Sequence, residues 1–248
     1  MKHTTRLSKI FVVVIAILLL AASLPAKGAP EGEIRWEQTS GPVGGSIMTL
    51  TVNGAGDLLA GTLGGVFRSS DGGDSWTAIN TGLTELRVPT LLATDRGDLF
   101  AGTLGDGVFR SRNNGRTWQA VNTGLTDLVV RSLLVNSAGD LFAGTDDGIF
   151  RSRNNGRTWK PVNTGLPAPS PVLFIFALIA NEAGDLFAGM DFNGAFRSTD
   201  NGDTWTPINT GLTNLRVFAL TVSPAGELFA GTFGGGVFRS SDNGDTWT

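Results

Sequence analysis

Past residue 30 no stretch of this chain keeps an apolar period of 3.6 for long. Short β-type apolar runs are instead separated by Gly, Asn and Asp, the residues that tight turns need. In one copy of the pattern the runs cover residues 217–222, 227–232, 236–240 and, after the preceding turn, 204–209. They are called strands a, b, c and d. The turn residues between them fit hairpin connections. The whole pattern then recurs.

Tryptophan marks the recurrence, at 36, 76, 118, 159, 205 and 247. Five of these close the same octapeptide: SSDGGDSW (69–76), SRNNGRTW (111–118), SRNNGRTW (152–159), STDNGDTW (198–205) and SSDNGDTW (240–247). A Phe-Arg pair precedes each, and a Gly-Asp/Glu-Leu-Leu/Phe-Ala-Gly run lies further upstream. Asn-Thr-Gly-Leu follows four of the boxes. Four strands per repeat of about 42 residues predicts propeller blades. The expected fold is all-β, a β-propeller with five blades in residues 27–248. A larger ring of which these are a part remains open.

The octapeptides resemble the Asp-box, Ser-x-Asp-x-Gly-x-Thr-Trp, of sialidase-type propellers. Similar boxes occur in xyloglucan hydrolases, sortilin-type receptors and photosystem assembly factors, and the Leu-Phe-Ala-Gly-Thr…Gly-Gly-Val-Phe-Arg segment resembles the propeller repeats of bacterial sensor ectodomains. The resemblance covers residues 36–248 and implies the fold more than the activity. In the box, Asp71, Asp200 and Asp242 are expected to hold the c–d turn through backbone N–H groups. Asn113 and Asn154 take that place in two blades. Trp76, Trp118, Trp159, Trp205 and Trp247 are expected to pack the turn, and the repeated Phe-Arg arginines to make one structural bond per blade. A d-type segment at residues 34–40, around Trp36, is expected to complete the last blade as its outer strand and close the ring.

The first 26 residues read as a secretory signal. Lys2, Arg6 and Lys9 precede an unbroken apolar run from Ile10 to Ala22, then small residues. The expected location is secreted or periplasmic, with no stable membrane anchor after cleavage. There is no cysteine, so no disulfide and no lipid-modified N-terminal cysteine. Removing the signal leaves 16 cations against 22 acids. That balance is unlike the basic footprint of a nucleic-acid partner.

Residues shared by all blades serve the blade, so function is sought where the copies differ. The b–c loops and d–a segments share one end of the propeller and vary. Asp106, Asp146, Asp147 and Asp191 are candidate polar contacts there, and Phe174, Phe192 and Phe233 apolar ones. Arg87, Arg131 and Arg216 are candidate members of a basic ring at the channel. Aromatic plus acidic groups suit a glycan or a protein segment. Sialidase chemistry is not expected: it needs a tyrosine nucleophile, and the chain has no tyrosine. The single histidine, His3, lies in the signal, which removes histidine triads and histidine metal sites. The boxes lack the twelfth-position Glu of an EF-hand, so no metal or cofactor is expected. A pair among the loop aspartates keeps a glycosidase reading open. The leading expectation is a non-catalytic recognition scaffold, with an assembly or sensor propeller binding a protein partner as the alternative.

Overall fold

A computed structural model describes residues 37–42, 46–168 and 173–248 of the protein. The expected secretory signal, Trp36 and residues 169–172 lie outside them. The molecule is an all-β, five-bladed propeller of antiparallel sheets. Blade one is β1 (Ile47–Val52), β2 (Leu58–Thr62), β3 (Gly65–Ser69) and β4 (Thr77–Ala78). Blade two is β5 (Thr90–Ala93), β6 (Leu99–Gly102), β7 (Val108–Ser111) and β8 (Gln119–Ala120). Blade three is β9 (Val130–Val135), β10 (Leu141–Thr145), β11 (Ile149–Ser152) and β12 (Lys160–Pro161). Blade four is β13 (Ile175–Ala180), β14 (Leu186–Met190), β15 (Gly194–Ser198) and β16 (Thr206–Pro207). Blade five is β17 (Val217–Val222), β18 (Leu228–Thr232) and β19 (Gly236–Ser240). Strand order within each sheet follows the chain, as hairpin connections require.

The core sits between blades. From one blade the second residue of strand b, a residue of strand c and one after strand d point forward. Leu59, Val66 and Ile79 do so from blade one. The next blade answers with Leu99, Ala101, Phe109 and Trp118. The same set recurs between blades two and three, three and four, and four and five. A b strand covered on both faces cannot alternate, so β6, β10 and β14 are buried throughout. Glycine at the end of strand b lets the next inner strand close in. A Cβ on Gly102 would lie 2.6 Å from Cγ1 of Val130.

The box is the c–d turn, and its Asp works as expected. Asp242 accepts the Thr246 N–H at 2.9 Å and the Ser240 hydroxyl at 2.7 Å. Asn113 and Asn154 accept the equivalent N–H at 2.9 Å. The tryptophan reaches further than its own turn. Trp118, Trp159, Trp205 and Trp247 donate Nε1–H to carbonyls of Ile79, Val121, Val162 and Ile208 in the preceding blade. The repeated arginine is also an inter-blade bond. Arg68, Arg110, Arg151 and Arg197 donate to the carbonyls of Asn114, Asn155, Asn201 and Asn243 in the next box. Those asparagines also donate through Nδ2 to Asp57, Asp98, Asp140 and Asp185.

The expected closing strand is corrected at its pairing. Thr39 lies over Gly73 as Ile79 lies over Gly115, so residues 37–42 occupy an outer-strand position beside box one. However, blade five is a three-stranded sheet, and the place opposite Arg239 is taken by Thr248 through two backbone bonds of 2.8 and 2.9 Å. That is the pairing of Arg68 with Thr77 in blade one, so the blade's own box supplies its outer partner.

Hydroxyl and N–H donors hold the Asp242 carboxyl down at about 2, the Thr246 hydroxyl foremost, and they also lower Asp71 and Asp200. A depressed carboxylate adds stability above its unfolded value near 4, and that stability is lost as pH falls through the folded value. The melting temperature is therefore expected to fall between about pH 4 and pH 2. The triple substitution Asp71→Asn, Asp200→Asn, Asp242→Asn should flatten that slope while the protein stays folded, as Asn113 and Asn154 allow. A melting series in which the slope survives would assign it elsewhere.

Candidate functional site

The d–a segments and b–c loops do converge on one end of the propeller. The b–c loop N–H of Leu104 donates to Arg87 O, Phe233 to Arg216 O and Asp191 to Phe174 O. Neighbouring blades are joined at the same level: Leu173 donates to Asp146 O and Gly194 to Leu215 O. The loops are therefore held by backbone bonds at both ends.

On this rim, blades three to five assemble a ladder of rings and guanidinium groups. Arg131, at the start of β9, lies over Phe174 and Phe176 with its guanidinium carbon 4.8 and 5.0 Å from the ring centroids. Phe176 stacks on Phe218 at 4.2 Å, and Phe218 meets Phe233 at 5.5 Å. Arg216 lies over Phe233, Phe192 and Phe218 at 4.4, 4.8 and 5.6 Å. Such contacts favour the ring faces electrostatically, more so where partly desolvated. Phe192 is 65 % exposed and Phe233 48 %. The open end of the ladder thus presents two large apolar groups.

Each ladder arginine is also clamped by a carboxylate. Arg131 engages Asp146 through Nε and through Nη2, the latter at 2.9 Å. Arg216 engages Asp191 through Nε at 2.6 Å and Nη2 at 3.2 Å. The second pair crosses from blade five to blade four. The hydrogen bond that Arg216 donates to Asp191 raises Arg216 above its ordinary pKa, so the guanidinium stays charged. Asp191 is itself buried. Two ring-bearing residues have left-handed backbone, Phe174 at φ 45° and Phe192 at φ 67°. Bulky residues rarely tolerate this, and such strain concentrates at ligand sites.

Of the ten candidate residues, seven are brought together: Asp146, Asp191, Phe174, Phe192, Phe233, Arg131 and Arg216. The other three are not. Arg87 pairs with its neighbour Glu85 at 2.7 Å and bonds Leu104 O on blade two. Arg87 foremost holds the Glu85 carboxyl at about 2. Asp106 accepts the Thr84 hydroxyl at 2.5 Å in the same blade. Asp147 is exposed and has no part in the ladder. The expected basic ring is thus a set of separate ion pairs, because each arginine has a carboxylate within reach. Phe176 and Phe218, which bridge the two arginines, were not among the candidates. Their signal was present: each sits two residues after a candidate, Phe174 or Arg216, at the entry to an inner strand.

Asp146 and Asp191 are not free to serve as an acid–base pair. A glycosidase needs one carboxyl that carries a proton and one that is free to attack or to activate water. Asp146 and Asp191 instead each accept two bonds from a guanidinium. Among the described residues no group of three or more His, Cys, Asp or Glu is placed to hold a metal ion, and no helix is long and apolar enough to cross a membrane.

Residues 196–207, which include the fourth box, match the family model of the BNR/Asp-box repeat. No curated protein sequence matches the chain. Solved structures do share the fold. The extracellular domain of BT4673, a candidate one component system of B. thetaiotaomicron, superposes with a TM-score of 0.67 at 19 % identity, over 86 % of this chain and 28 % of that one. The GH74 xyloglucanase of Xanthomonas campestris gives 0.66 at 17 % identity, over 79 % and 36 %. YCF48 bound to D1 peptide gives 0.63 at 19 % identity, over 82 % and 67 %. The chain thus spans about a third of the first two of these structures and two thirds of the third. At these identities the likeness is one of fold.

Proposed function

We propose that this Asp-box propeller is an exported, non-catalytic module that binds a protein partner, and that the Arg131–Phe176–Phe218–Arg216 ladder is its contact surface. The carrying observation is the ladder itself, which spans three blades and ends in exposed Phe192 and Phe233. Exposed aromatics beside arginine are the residue types that dominate protein–protein contacts. Nε and Nη2 of both arginines are already turned to Asp146 and Asp191. The surface therefore offers ring faces and held charge more than free hydrogen-bonding groups, which suits an apolar or aromatic protein segment better than a polyhydroxylated sugar. The similar structures include an extracellular sensor-type domain and a propeller bound to a peptide, and both support this reading. Export rests on the signal-like residues 1–26 and on the extracellular character of such neighbours.

Panning a random-peptide phage library on the purified protein tests it. Enriched peptides should carry apolar or aromatic residues, and Phe192→Ala with Phe233→Ala should weaken their binding by about 30-fold or more. Both side chains are exposed, so the double variant should keep its melting temperature within a few degrees. Enrichment of nothing, together with a melting shift on a panel of oligosaccharides, would replace the protein partner with a glycan.

A further inference from the structure

Six asparagines in this chain precede a glycine: Asn53, Asn114, Asn155, Asn193, Asn201 and Asn243. In an Asn-Gly pair the backbone amide can approach the preceding side chain, because glycine carries no Cβ to hinder it. The fold treats one of the six differently. In the four boxes the glycine is buried and its N–H is tied down inside the turn. Gly115, Gly156, Gly202 and Gly244 donate to Oγ of Ser111, Ser152, Ser198 and Ser240 at 2.8–2.9 Å. On the rim Gly194 is also buried, and it donates to Leu215 O at 2.8 Å. Gly54 is exposed, and its N–H has no partner among the described residues. A Cβ there would meet nothing within 4 Å. This exposure belongs to the a–b turn and not to blade one in particular: Asp95, Ser137, Glu182 and Pro224 are exposed at the same place in the other blades.

The side chain of Asn53 is held at this turn. Its Oδ1 accepts the N–H groups of Ala55 at 3.0 Å and Asp57 at 2.9 Å. Such an Asx-type turn folds the side chain along the backbone that follows it. Two donors on one carbonyl oxygen also draw electrons from Cγ and stabilise negative charge that develops on that oxygen during attack. Asn136 and Asn181 hold the same place in blades three and four, but Ser137 and Glu182 follow them. Asn53 alone among these joins the turn to an unhindered amide.

We infer that Asn53–Gly54 is a self-modification site, where the folded chain exchanges an amide for a carboxylate and so loosens the joint between blades one and two. The Gly54 nitrogen gives up its proton and attacks Asn53 Cγ, forming the new C–N bond of a succinimide ring. The Cγ–Nδ2 bond breaks, and Nδ2 takes up a proton and leaves as ammonia. Water, the one co-reactant, then adds to either ring carbonyl. Opening at Cγ leaves an aspartate. Opening at the main-chain carbonyl leaves an isoaspartate, with one more carbon in the backbone. Nothing is oxidised or reduced. Before the change Nδ2 of Asn53 donates to Asn114 Oδ1 at 2.8 Å and to Asp57 Oδ2 at 3.2 Å. Afterwards an acceptor faces two acceptors, and a second negative charge stands beside Asp57. Asn114 and Asp57 are the two ends of the latch between these blades, so the cost falls on that joint.

Peptide mapping by mass spectrometry tests the inference, on folded protein kept for days in mildly alkaline buffer. Asn53 should acquire the mass of an amide-to-acid exchange, and enzymatic methylation of isoaspartyl carboxyls should label the same peptide. The other five Asn-Gly pairs should keep their amides. In concentrated urea, where no glycine N–H is tied down, all six should change. Gly54→Ala alters an exposed residue outside the left-handed region, so it should fold and lose the modification at Asn53. Asn53→Asp reproduces one product and should melt about 2–4 °C below the wild type. An unchanged Asn53 in the folded protein, or box and rim asparagines that change as fast, would overturn the site. An Asn53→Asp protein that melts with the wild type would overturn its effect on the joint.

Discussion

Replacing Trp159 with alanine is expected to lower the free energy of unfolding by about 3–5 kcal/mol, the cost of truncating a large buried aromatic. Trp159 is 2 % exposed and packs with Phe100, Val108 and Leu125 across the boundary of blades two and three. Its Nε1–H satisfies the Val121 carbonyl at 2.7 Å. Trp159→Phe keeps most of the packing and removes that bond, at about 1 kcal/mol. Trp76→Ala is the informative contrast. It has the same box, but it is only half-buried and its N–H has no partner among the described residues, so it should cost less than half as much as Trp159→Ala. Urea unfolding followed by circular dichroism measures all three. Equal losses for Trp76 and Trp159 would mean that the tryptophan serves only its own turn. Because each blade touches only its neighbours, broadening of the transition should accompany the loss at Trp159.

Arg216→Ala should abolish partner binding and also lower the melting temperature. The change strips three phenylalanine rings of their cation and leaves the Asp191 carboxylate, with an 8 % exposed side chain, without its counter-ion. Removing one member of a fully buried pair is strongly destabilising, but Arg216 is itself 34 % exposed, and solvent screens the exposed end, so the loss is moderate. Arg216→Lys should not restore binding, since an ammonium lacks the planar face and the two-pronged grip on Asp191. Arg216→Ala with Asp191→Asn should regain stability without regaining affinity. Arg87→Ala removes an exposed pair on blade two and should leave both the melting temperature and binding nearly unchanged. Calorimetric melting, with titration of a peptide selected on the wild-type protein, separates these outcomes. Wild-type affinity in Arg216→Ala would remove the ladder from the binding site.

The blades could be read from the sequence because every instruction that makes one is local. A glycine able to take positive φ, an Asp or Asn that accepts the N–H four residues on, and a hairpin-length spacing act within one box. Repeating them five times leaves little doubt about register. The Asn113 and Asn154 substitutions changed nothing, since the amide oxygen accepts the same bond that the carboxylate does.

What acts between blades could not be read in this way. Arg131 reaches Phe174 and Phe176, and Arg216 reaches Asp191, across 25 or more positions of chain. Such contacts depend on the angle at which one sheet meets the next. The repeated arginine was recognisable as structural, yet its acceptor, a carbonyl in the following box, belongs to another blade. The outer place in blade five likewise turned on three-dimensional proximity: Thr248 and residues 34–40 both had suitable sequences, and Thr248 stands opposite Arg239. The sequence by itself determined the repeat, its turns and the composition of each blade face. Only the tertiary structure decided which arginines are clamped and which rings stack into one surface, because those properties arise from packing between units that the chain pattern describes one at a time.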